Sequence, residues 1–169
     1  MLKKFVKKIM FLKMYPSLYI TNFIFQKLFR INSEFKYSKH FTSKILHSKN
    51  IKFEETSYKT LKSFFSSGGC YFNAANGIEI GYGTFWAVNV VIISETYDLS
   101  NNLKAKDINL PIKIGNNCWI GANVVIMPEV NIGNNVIIGA GSIVTKSFPS
   151  NCVIAGNPAR IIRELNVKT

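Results

Sequence analysis

IKIGNNCWIGANVVIMPEVNIGNNVIIGAGSIV, residues 112–144, repeats on a period of six. Ile114, Ile120, Ile126, Ile132, Ile138 and Val144 form one row of branched aliphatics, and a second row two residues earlier reads Ile112, Cys118, Val124, Val130, Val136 and Ser142. Glycine follows four members of the first row, at Gly115, Gly121, Gly133 and Gly139. A helix repeats at about 3.6 residues and a half-buried strand at about 2, so neither accounts for this pattern. A chain that turns a corner every six residues does, with a bulky side chain inward on each face and a flexible residue at each bend. The spacing predicts an all-β solenoid, a triangular parallel β-helix.

The same phase continues upstream through Ile80, Trp86 and Ile92, with Gly81 after the first of them. From Ile92 to Ile114 the step is 22, not a multiple of six, so an excursion loop is expected over residues 94–111. Its composition is polar, and loops thrown out of a rigid scaffold are where chemistry concentrates. The chain therefore divides into a basic N-terminal segment (1–64), the β-helix (65–156) and a C-terminal tail (157–169) expected to form a short helix.

The charge is placed unevenly. Residues 1–62 hold 14 Lys or Arg against three acids, whereas residues 63–169 hold seven against six. Leu2, Phe5, Ile9 and Leu12 alternate with Lys3, Lys4, Lys7 and Lys8 as on an amphipathic helix. The uncharged run from Met14 to Gln26 is too short to cross a bilayer, and Lys13 with no small-x-small site behind it argues against a cleaved signal. Two readings of residues 1–31 stay open: a cap on the end of the β-helix, or a segment resting on an anionic membrane surface. Nucleic acid is not expected, since no reading motif accompanies the lysines. The three cysteines, Cys70, Cys118 and Cys152, have no C-x-x-C spacing, and the only histidines are His40 and His47, so no metal site is expected. Buried thiols and a reducing, cytoplasmic compartment are the expectation.

The stretch from Ile112 to Pro128, the run Gly139-Ala-Gly-Ser-Ile-Val-Thr-Lys146 and the run Ala155-Gly-Asn-Pro-Ala-Arg160 together resemble the hexapeptide-repeat acyltransferases. The likeness is strongest to the maltose, galactoside and polysaccharide O-acetyltransferase branch and covers roughly residues 40–163. It implies a left-handed coil, a homotrimer with sites in the grooves between subunits, acetyl-CoA as donor and a carbohydrate hydroxyl as acceptor. It also implies cofactor contacts at Gly121, Ala122, Gly139, Ala140, Thr145, Lys146, Arg160 and Arg163. On a helical tail, Arg160 and Arg163 would share one face as a fork for phosphate oxygens.

One departure touches the chemistry. The family's extended loop opens with Ser-x-x-His-Asp, and the histidine is the base; this chain reads Ser94-Glu95-Thr96-Tyr97-Asp98. An unperturbed phenol ionises near 10 against about 6.5 for imidazole, which makes it a poor proton acceptor at neutral pH. Three explanations stay open. Tyr97 is activated, or Glu95, Asp98 or an N-terminal histidine substitutes; the protein retains only fold and cofactor site; or the change is an introduced or allelic variant. Smaller departures are Glu129, where the family often has glycine, and Val88-Asn89.

Overall fold

The computed structural model describes residue 11 and residues 13–98, 104–105 and 110–166. Leu2, Phe5, Ile9 and Leu12, with their intervening lysines, lie outside the described residues. The core of the molecule is a prism of three sheets whose strands pair in parallel, except for the last strand of the third. The first sheet runs β1 (Lys44–Leu46), β3 (Tyr71–Asn73), β6 (Val91–Ile93), β11 (Val125–Ile126) and β14 (Ile143–Val144). The second holds β2 (Ile51–Phe53), β4 (Ile78–Ile80), β9 (Ile112–Ile114) and β12 (Asn131–Ile132). The third holds β5 (Phe85–Trp86), β10 (Trp119–Ile120), β13 (Ile137–Ile138), β15 (Cys152–Gly156) and β16 (Ala159–Glu164).

Register follows from the period. Trp119 pairs with Ile137, Val125 with Ile143 and Lys113 with Asn131, so one coil is 18 residues, or three hexads. Both rows are buried in one hydrophobic cluster, save Ser142, which is buried as a hydrogen-bonded hydroxyl. A fully buried Ile or Val contributes about 1.5–3 kcal/mol, so the repeated rows hold the coils together. Phe85 and Trp119 are partners 34 residues apart, an excess of 16 over one coil. That excess is the excursion, and its described part is an antiparallel hairpin of β7 (Tyr97–Asp98) and β8 (Lys104–Ala105).

Two devices let the corners stack. Asn117, Asn123 and Asn135 take positive φ, which asparagine tolerates better than other side chains. Asn116 and Asn134 pass bonds along the axis: Asn116 Oδ1 accepts from the Tyr82 N–H at 2.7 Å and Asn134 Oδ1 accepts from the Asn116 N–H at 2.7 Å. Where the backbone of the next coil is in contact, only glycine fits. A Cβ on Gly115 would lie 2.5 Å from the Gly133 carbonyl oxygen.

The first coil closes differently. After β1 and β2 the chain forms helix α2 (Tyr58–Ser66) instead of a third strand. Its hydroxyls then do a strand's work for the β5 edge. Thr60 Oγ1 donates to the Thr84 carbonyl (2.7 Å), the Trp86 N–H donates to Ser63 Oγ (3.0 Å), and Ser67 Oγ, just past the helix, donates to the Trp86 carbonyl (2.8 Å). Backbone groups that would otherwise be buried unpaired are thereby satisfied. Helix α1 (Pro16–Phe23), continued by a π-helical turn (Ile24–Leu28), crosses this end. Asn22 holds it to the Phe65 carbonyl (3.0 Å), and Gln26 holds it to those of Phe35 (2.8 Å) and Tyr37 (2.9 Å).

The tail corrects one expectation. Residues after Pro158 form β16, not a helix, paired antiparallel to β15 with a bulge between Val153 and Ile154. The end of the third sheet offers a ladder of unpaired backbone groups, and that ladder overrides local helical preference.

Candidate functional site

The residues singled out in the sequence fall on two different edges of the prism. At the edge from the third sheet to the first, Gly121, Gly139 and Ala155 stack through the bonds from Gly121 N–H to Ile138 O (2.9 Å) and from Gly139 N–H to Ile154 O (2.8 Å). Ala122 joins them, its carbonyl accepting from the Gly141 N–H at 2.8 Å, with Ala140 exposed alongside. Arg160 is the β16 partner of Ala155 and continues this row.

The glycines here have a reason of their own. A Cβ on Gly121 would lie 2.6 Å from the Ala140 nitrogen, and one on Gly139 would lie 2.9 Å from the Ala155 Cβ. Coil stacking requires them with or without a ligand, so their smallness does not mark a cofactor groove.

The two arginines share a face, though not by the helical spacing expected. Arg160 lies opposite Ala155 and Arg163 opposite Val153, two residues apart on β15 and therefore on one side of it. Three residues along an ordinary strand would have separated them; the extra residue of the bulge restores the fork. Arg160 also donates from its guanidinium to the Ala159 carbonyl at 2.9 Å, which fixes the start of its side chain.

The other edge, from the first sheet to the second, carries the excursion and, two coils further along, Thr145 and Lys146. Both of these are exposed, and the Lys146 ammonium sits 5.7 Å from the Phe148 ring centre. Within one chain Lys146 and Arg160 are therefore not brought together.

The start of the excursion is tied down firmly. Ser94 is buried; its hydroxyl donates to the Asn73 carbonyl and accepts from the Asn76 N–H, each at 3.0 Å. Glu95 is held by Asn73, whose side-chain amide donates to Oε2 at 2.8 Å. Tyr97 then stands out at 57% exposure, its backbone paired with Ala105, while Asp98 enters as strand backbone paired with Lys104. Among the described residues no cation or carboxylate hydrogen-bonds the Tyr97 hydroxyl.

Of the two N-terminal histidines, His47 stands between β1 and β2 on the edge that carries the excursion, two coils before it, whereas His40 lies at the edge from the third sheet to the first. Thr42 accepts from the Gly69 N–H (2.8 Å) and so points its own hydroxyl at His40 Nδ1 (2.8 Å), which also accepts from the Thr42 N–H (3.3 Å). Nδ1 is thus the acceptor and Nε2 carries the proton. Burial, with the neighbouring Lys39 ammonium, pulls the imidazole below its ordinary pKa. Its role here is to seat the Gly68–Gly69 corner: a Cβ on Gly68 would lie 2.8 Å from the ring.

Sequence reasoning missed Lys39. It is 1% exposed, its ammonium donates to the Ser43 carbonyl (2.7 Å) and the His40 carbonyl (3.4 Å), and burial pulls its pKa to about 8. No periodic signal marks it, because it belongs to the non-repeating cap. Burial raises the thiol pKa of Cys70, Cys118 and Cys152, all free and buried. Among the described residues no cluster of three or more His, Cys, Asp or Glu could hold a metal.

Comparison with known proteins follows the same lines. Residues 111–146 match the family model described as bacterial transferase hexapeptide (six repeats). The chain is 47% identical over 91 residues to galactoside O-acetyltransferase of Escherichia coli (strain K12), which covers 53% of this chain and 45% of that one. It resembles the crystal structure of a maltose O-acetyltransferase from Clostridium difficile 630, with a TM-score of 0.54 and 33% identity, covering 75% of this chain and 61% of that one. A hexapeptide-repeat acetyltransferase of Vibrio cholerae O1 biovar eltor, complexed with acetyl coenzyme A, shares the fold at 24% identity and a TM-score of 0.59, covering 74% of this chain and 69% of that one. The chain spans about half the length of the curated relatives it matches. The hexapeptide-repeat acetyltransferase likeness read from the motifs is borne out.

Proposed function

We propose that this chain is an O-acetyltransferase that moves an acetyl group from acetyl-CoA to a sugar hydroxyl of a surface polysaccharide or its precursor. The observation that carries the reading is its likeness, at 47% identity over 91 residues, to a galactoside O-acetyltransferase. The acceptor oxygen attacks the thioester carbon, the C–S bond breaks, and the acceptor proton passes to the base and on to the departing thiolate, with backbone N–H groups facing the developing oxyanion.

The division of residues between two edges supports a site shared between copies in a left-handed, cyclic trimer. So do the outer faces. The outward row of the second sheet is polar (Lys52, Glu79, Lys113, Asn131), whereas the third presents Phe85, Trp119 and Ile137 and the first presents Tyr71, Val91, Val125 and Ile143. A solvated sheet face is ordinarily polar, so the two apolar faces fit burial by neighbours. In that arrangement the excursion, Thr145 and Lys146 of one copy lie beside Gly121, Ala122, Gly139, Ala140, Arg160 and Arg163 of the next. Lys146, Arg160 and Arg163 supply charge for the nucleotide phosphates.

The exposed phenol of Tyr97 favours a second reading, a CoA-binding homologue with weakened catalysis. One experiment separates the two: acetyl-CoA turnover against a panel of sugars by wild-type and Tyr97→His protein, alongside thermal shift with acetyl-CoA. Turnover in the wild type supports the enzyme. A gain of about 10² or more only in Tyr97→His supports the weakened homologue. Absence of any thermal shift with acetyl-CoA removes both.

A further inference from the structure

Helix α1 and its π-helical continuation carry apolar side chains on the side that faces water as well as on the side that packs on the protein. The side turned to the protein carries two buried amides, Asn22 and Gln26, hydrogen-bonded to backbone carbonyls, beside the half-buried Leu18, Tyr19 and Phe25. The opposite side carries Ile20 (54% exposed), Phe23 (53%), Ile24, Leu28 (72%) and Ile31, with Phe29 at its edge (61%). Ile20, Phe23 and Ile24 follow the i, i+3, i+4 spacing of one helical face, Leu28 stands on the π-helical turn that continues it, and Ile31 lies in the turn beyond. A segment already packed through one side and still carrying an exposed apolar row on the other has a second apolar partner for that outer side.

Charge says what that partner is. Residues 1–33 contain six lysines and one arginine and no acid. Lys13, Lys27 and Arg30 are exposed within this same stretch, where long stems can lie along an apolar layer with the cations in its polar rim. No helix among the described residues is long and apolar enough to cross a membrane. We infer that the outer face of residues 20–31 seats this protein on an anionic phospholipid bilayer. The apolar side chains enter the headgroup boundary, and the cations meet lipid phosphates. The packed inner side stays on the cap, so docking needs no unfolding.

The test uses the full-length chain in flotation with phosphatidylcholine vesicles, with and without phosphatidylglycerol, at about 0.05 M and about 0.5 M salt. Binding is expected on the anionic vesicles, weaker at high salt and lower by about tenfold or more in an Ile24→Glu/Leu28→Glu variant. An equally charged control at exposed apolar sites elsewhere, Leu110→Glu/Ile162→Glu, keeps its binding. Phe23→Trp gives a second readout without new charge, with quenching by brominated lipid expected only on anionic vesicles. Three results overturn the inference: no binding by the wild type, equal binding by the Ile24→Glu/Leu28→Glu variant, or no quenching in Phe23→Trp. A fourth is a smaller assembly of the Ile24→Glu/Leu28→Glu variant in mass photometry without lipid. That outcome assigns the face to a second copy of the chain.

Discussion

The coils over residues 112–144 and the cap over residues 11–66 bury comparable side chains by opposite means. In the coils every inward position is a small branched aliphatic or its equivalent, repeated each hexad, and each coil meets a near copy of itself. The cap uses each residue once. Phe64 is its hub, with ring centres of Phe35, Phe53, Phe72 and Trp86 at 4.6–5.8 Å, and buried amides, hydroxyls and one lysine close the remaining bonds. Repetition makes a region tolerant in its side chains and intolerant in its backbone spacing; a unique cap is the reverse. Each prediction below presses on that contrast.

The largest effect is expected in the backbone of the repeat. Gly115→Ala places a methyl 2.5 Å from a carbonyl oxygen of the next coil, where nothing flexible can yield. Urea denaturation should show a loss of about 4 kcal/mol or more, and a wild-type midpoint would break the comparison. In the cap, Phe64→Ala removes the hub of four ring contacts and should destabilise by about 3–4 kcal/mol in the same assay.

Lys39 sharpens the contrast through pH. Its folded pKa, about 8, is below the ordinary 10.5, so between those values the unfolded chain keeps a proton that the folded chain has released. Stability therefore rises with pH across that window, and the full penalty of the buried ammonium is present below about 8. Lys39→Met should remove this rise, so from neutral pH to pH 10.5 the stability difference between the two proteins should move by about 3 kcal/mol in favour of the wild type. Parallel pH profiles for the two proteins would contradict this account of the cap.

The smallest effect returns to the coils as a control. A Cβ on Gly141 would meet nothing within 4 Å, and only its φ of +71° resists a side chain. Gly141→Ala should lose about 1 kcal/mol, which thermal melting can set against Gly115→Ala. Equal losses would mean that conformation, not contact between coils, selects glycine in the repeat.

The amino-acid sequence determined the solenoid, its two inward rows, the break after Ile92 and the family likeness. It could do so because every coil presents the same environment, so a local period of six carries the three-dimensional constraint. Tertiary structure alone decided that the tail is a strand, because an open ladder at the end of the third sheet recruits it. It alone placed Arg160 and Arg163 on one side, through a bulge, and put Lys146 on another edge. It alone turned the apolar side of residues 20–31 outward and buried Lys39, Asn22 and Gln26. These outcomes rest on contacts between segments far apart in sequence, made once each, and no repeat records them.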